Sequence, residues 1–151
     1  MDAKEEIEGL YGSLIKLRYI RAAGTVGCSE KQVAELDAYA AGGRLPELYR
    51  QFLLRMGERI TGTYLSSYYY SYEYLPKIQK EARQMAERNK VDVPTDAFFF
   101  ATFDYVDFFY FRTHEPNDNP PIYMYGSSRP PLLLHKSLRG FLGEEMGEEE
   151  K

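Results

Sequence analysis

Between Leu45 and Gly57 the apolar residues fall on one side of a helix. Leu45, Leu48, Tyr49, Phe52, Leu53 and Met56 share a single stripe when successive residues are stepped by about 100°. Pro46 presets the backbone of a first helical turn, Gly42 and Gly43 can close the element before it, and Gly57 follows its end. The same spacing, with Ile7, Leu10, Tyr11, Leu14 and Leu17 inside, predicts a helix over 3–21, and Ala22 to Gly27 reads as a small-residue turn. Ser29 and Gln32 form a capping-box pair that opens a helix with Val33, Leu36 and Ala40 on its inner face. A fourth helix runs from Pro76 to about Asn89, with a narrow stripe of Ile78, Ala82 and Met85.

The period changes in the second half. Residues 97–103 and 106–113 are aromatic runs separated by Asp104-Tyr105, which reads as a tight hairpin. Val106, Phe108 and Tyr110 point one way while Phe109 and Phe111 point the other, the pattern of a central strand covered on both faces. Residues 60–74, punctuated by tyrosines, predict a loop and one strand. Ile122 to Tyr125 is the next strand, Gly126 to Pro131 breaks it, and a last helix from Ser137 carries Leu138, Phe141 and Leu142. Helices first and clustered strands later give an α+β fold, with N-terminal helices packed on a mostly antiparallel, aromatic-rich sheet. The expected organisation is one domain over 1–143 and an acidic tail over 144–151.

Composition narrows the chemistry. A net charge of −4 over 151 residues argues against non-specific binding to nucleic acid or anionic membranes. One cysteine, Cys28, allows no internal disulfide and fits a reducing compartment. The acidic start and the lack of a long apolar run make a cytoplasmic protein the expectation. No glycine-rich phosphate loop or hydrolase elbow occurs. His114 and His135 lack partners at metal-ligand spacing, and Cys28, between Gly27 and the Ser29 cap, reads as a small semi-buried thiol rather than the nucleophile of a Cys28–His114 pair. Asp104 and Asp107 straddle the hairpin as turn formers, with acid–base work as the alternative. No catalytic residue, metal or cofactor is therefore expected.

Tyrosine supplies large, stiff, amphipathic contact area, so the run from Tyr64 to Tyr74 is the strongest functional signal. Tyr68, Tyr69, Tyr70 and Tyr72, with Glu115 and Asp118 at the rim, are the candidate partner-binding residues. Packing of these rings on the sheet is the competing reading. Basic residues do not interleave with them, which disfavours a nucleic-acid surface.

The helix bearing Val33 and Leu36, the joint Gly43-Arg44-Leu45-Pro46, and then Tyr49, Phe52, Leu53 and Gly57 resemble the N-terminal motif of the SUKH superfamily, the Smi/Knr-like group. Pro121-Ile122-Tyr123 and Ser137-Leu138-x-x-Phe141-Leu142 are similar to its closing elements. The chain departs from the pattern in Met56-Gly57 and in having no tryptophan. The resemblance implies a non-enzymatic immunity protein that binds a cognate bacterial toxin from a competition system, as a monomer or homodimer. A regulatory scaffold for an endogenous protein is the second reading. An enzyme or small-ligand binder using Asp104, Asp107 and His114 is the third.

Overall fold

A computed structural model describes residues 2–62, 68–114, 116–126 and 129–147. Helix α1 (Ala3–Lys16) is opened by an Asp2–Glu5 capping box and buries Ile7, Leu10 and Leu14. It stops before the expected end because Arg18 takes a left-handed φ of 65°, which leaves Leu17 44% exposed rather than in the core. The predicted turn at Ala22–Gly27 is instead strand β1 (Arg21–Val26). Helix α2 (Glu30–Leu36) carries the predicted Ser29–Gln32 box and buries Val33 and Leu36. Helix α3 (Glu47–Met56) buries Leu48, Tyr49, Phe52, Leu53 and Met56 of the predicted stripe, and Leu45, just before it, is buried as well.

The described residues of the segment 60–74 take part in two short strands where one was expected. Strand β2 (Arg59–Thr61) pairs antiparallel with β1, tied by the Thr25 and Thr61 hydroxyls 3.1 Å apart. Strand β3 (Tyr68–Tyr69) begins the main sheet. Helix α4 (Leu75–Asn89) buries Leu75, Ile78, Ala82 and Ala86. Then come β4 (Ala97–Phe103), β5 (Asp107–Arg112), β6 (Ile122–Gly126), β7 (Arg129–His135) and α5 (Leu138–Met146). The main sheet is an antiparallel meander in the order β3-β4-β5-β6-β7.

The β4–β5 hairpin turns through Asp104 and Tyr105 at φ 52° and 57°, and the Val106 N–H donates to the Phe103 carbonyl. Two successive left-handed residues match the twist of the flanking strands. Val106 lies in this turn and is 50% exposed, so it does not join the face of Phe108 and Tyr110. The two-sided burial of β5 holds. Phe98, Phe100 and Phe111 meet Tyr49 of α3 on one side, while Phe109 meets Phe141 of α5. On the other side Phe99, Phe108 and Tyr110 lie towards α4, where Arg83 stacks over Phe99. A register shift in β4 between Phe99 and Ala101 is clipped by Gln79 of α4, whose Oε1 accepts from the Phe99 N–H at 2.9 Å and whose Nε2 donates to the Phe99 carbonyl. These polar contacts explain why so narrow an apolar stripe holds α4 in place.

Two further elements depart from expectation. Strand β7 runs through Pro130 and Pro131, where a break was expected; as an edge strand it needs fewer backbone donors. Helix α5 continues through Met146, so the acidic segment expected as a tail from 144 begins inside a helix that ends at Gly147 (φ 93°).

Candidate functional site

The tyrosine run is brought together with residues from three other parts of the chain. Tyr68, Tyr69, Tyr70 and Tyr74 line a half-open cleft of about 380 Å³ with Tyr19 after α1 and Ile60 of β2, rimmed by Glu58, Arg59 and Glu73. Tyr69 is the pivot: its ring lies 5.0 Å from Tyr74 and 5.3 Å from Tyr105, centroid to centroid. Tyr68 packs edge-on to Phe103 at 5.1 Å and donates its hydroxyl hydrogen to Glu145. The tyrosine rings are half-buried and pack against the core.

Burial pushes the Tyr70 phenol up to about 12. The Tyr68 phenol is raised further, by burial first and then by its bond to Glu145. These hydroxyls therefore stay protonated at neutral pH and act as hydrogen-bond donors rather than as bases.

Of the six candidate binding residues, Tyr68, Tyr69 and Tyr70 gather in the cleft, while Tyr72 and Asp118 do not. Tyr72 reaches away from it and donates to Glu35 of α2 at 2.6 Å. Glu115 lies outside the described residues. Asp118 sits at the opposite end of the sheet, beyond the end of β5 that pairs with Ala97, whereas β3 pairs with Phe103 at the other end. There its Oδ1 accepts from the Glu47 N–H at 3.4 Å and its carbonyl from the Leu48 N–H at 3.1 Å, so it caps α3. Tyr19, Glu58 and Glu73 were not nominated from sequence. Tyr19 is remote from the tyrosine run, and a rim of carboxylates has no periodicity to betray it.

The other candidate residues lie apart from the cleft. Cys28 is buried, and burial, with Glu58 nearby, pushes its thiol up to about 12, which leaves almost no thiolate at neutral pH. Asp104 holds the left-handed turn and Asp107 stands in the strand after it. His114 is exposed, and its backbone N–H donates to Asp96 Oδ2 at 2.9 Å. It lines a second hollow with Arg44, Arg112 and Asp118.

Asp96 locks the far end of the sheet. Burial opposes its charge, but bonds from Arg112 at 2.5 Å and from the His114 N–H outweigh that cost and hold its carboxyl below the usual aspartate value. A depressed folded-state pKa stabilises the protein above the unfolded value of about 3.9 and is lost as pH falls through the folded value. Asp96→Asn is accordingly expected to lower the urea midpoint at pH 7 and to flatten its decline below about pH 4. Parallel midpoint-against-pH curves for the two proteins would show that Asp96 does not contribute.

His135, at the end of β7, meets Glu144 and Glu145 of α5. Sequence spacing concealed this grouping, because the fold-back of α5 onto β7 creates it.

The family model SUKH_6, described as SMI1-KNR4 cell-wall, matches residues 30–142, from the first residue of α2 into α5. No curated protein matches the chain. The chain belongs to the SMI1-KNR4 family of the SUKH superfamily.

Proposed function

We propose that this member of the SMI1-KNR4 family is a cytoplasmic, non-enzymatic immunity protein that captures a cognate bacterial toxin on its tyrosine cleft, as a monomer or homodimer. The observation that carries the reading is the cleft itself, where half-buried phenols held in their donor form stand beside Glu58 and Glu73. Rigid aromatic rings bury area at low entropy cost and slow dissociation. Glu58 and Glu73, which outnumber Arg59 at the rim, and the net charge of −4 steer a basic partner and speed encounter. The word "cell-wall" in the family description favours a second reading, a regulatory scaffold that binds an endogenous protein through the same cleft.

Co-expression with a toxin encoded beside this gene is expected to rescue growth. In a binding assay with that toxin, Tyr69→Ala should raise the dissociation rate about tenfold, Glu73→Lys should slow association, and Asp118→Asn should leave both rates unchanged. Undiminished killing with the folded protein in excess rejects the toxin reading. Rescue that persists with the parent's affinity in both cleft variants rejects the cleft.

A further inference from the structure

The last turn of α5 returns to the end of β7 and brings three ligating side chains into one place. His135 Nε2 lies 2.8 Å from Glu144 Oε1 and 4.0 Å from Glu145 Oε2. One ligand atom from each residue lies within 4.8 Å of the other two. Donors around a zinc ion, each at about 2.0–2.2 Å from it, stand roughly 3.3–3.6 Å from one another. The parts are already braced: the His135 ring stands edge-on to Phe141 at 5.3 Å, and its side chain is only 15% exposed. The Tyr68 hydroxyl donates to Glu145, the kind of outer contact that orients a ligating carboxylate.

The charge around this cluster is unbalanced. The ion pairs of Glu6, Glu8, Asp37, Glu47 and Asp96 each join a carboxylate to an arginine. Among the described residues, Glu144 and Glu145 form ion pairs with His135 alone. Two carboxylates against one imidazole leave a net negative charge whether or not the ring is protonated. A divalent cation would neutralise it, and a mixed imidazole–carboxylate set suits zinc better than magnesium or calcium.

We propose that His135, Glu144 and Glu145 form a divalent-metal site of zinc type, which clamps the last turn of α5 to β7 and leaves a fourth position open to solvent. None of the three residues lines the tyrosine cleft, although Met146 next to Glu145 does, and the site does not depend on the toxin reading. Through Tyr68, which lines the cleft and holds Glu145, bound metal would stiffen one wall of that cleft.

Calorimetric titration of zinc chloride into the full, metal-free chain is expected to give one equivalent bound. Cobalt(II) in its place should give the visible absorption of a low-coordinate ion. His135→Ala and Glu144→Gln should each weaken zinc at least about tenfold, and Tyr68→Phe by a smaller factor, while His114→Ala binds as the parent does. Excess zinc should also raise the Tm of the parent but not of Glu144→Gln. Glu144 is 60% exposed in its side chain, so its variant decides the matter even if His135→Ala fails to fold. No zinc bound by the parent, or binding that survives Glu144→Gln and disappears with His114→Ala, overturns the site.

Discussion

Replacing Tyr49 with alanine is expected to remove about 3–5 kcal/mol of stability, enough to unfold much of the protein, whereas Tyr49→Phe should leave stability unchanged or raise it by about 1 kcal/mol. Tyr49 is 1% exposed and sits where α3 meets the sheet, with its ring 5.2 Å from Phe111, 5.5 Å from Phe98, 5.9 Å from Phe100 and 6.3 Å from Phe52. Truncation opens a cavity walled by four rigid rings, which cannot collapse to fill it. Its hydroxyl is buried and has no hydrogen-bond partner among the described residues. Desolvating an unpaired phenol costs free energy that phenylalanine does not incur, and the same burial raises the Tyr49 pKa. Urea unfolding of the parent and both variants tests the pair. A loss of more than about 1 kcal/mol in Tyr49→Phe would mean that the hydroxyl has a partner in solution.

Gly27→Ala is the second large effect, with an expected cost on the order of 3 kcal/mol. A Cβ at this position would stand 1.8 Å from the Leu54 carbonyl oxygen and 2.7 Å from its carbon. These are backbone atoms of α3, held close by the bond from the Cys28 N–H to the Leu53 carbonyl at 2.8 Å. Neither chain can yield without breaking that bond or unpacking Leu53. Gly43→Ala is the control. Its φ of 79° strains a side chain, but nothing lies within 4 Å of the new atom, so its cost should be only about 1 kcal/mol. Thermal unfolding of the two variants should separate them clearly. Equal melting temperatures would show that the β1–α2 junction has room for a side chain.

How far the chain could be read without coordinates depends on the range of each interaction. The Ser29–Gln32 box, the stripe from Leu45 to Met56, the Asp104-Tyr105 turn and the two-sided burial of β5 were all legible, because each arises within one element or one hairpin. Strand β1 was missed because its four leading residues, Arg21 to Gly24, are all exposed, so no alternation marks it; its pairing with β2 across the intervening helices defines it. Strand β7 was missed because Pro130 and Pro131 mimic a break, and only its place at the sheet edge makes them tolerable.

The candidate site divides along the same line. The tyrosine run announced a surface, yet its sequence order put Tyr72 in it and left Tyr19 out. Asp118 looked like a rim carboxylate beside a turn, but it caps α3 from a distant loop. Sequence by itself determined the helices and the aromatic hairpin, since propensity and periodicity are local properties. Tertiary structure decided the order of the sheet, the membership of the cleft and the meeting of His135 with Glu144 and Glu145. Those depend on which distant surfaces bury each other best once the chain has closed its loops, and no local pattern encodes that choice.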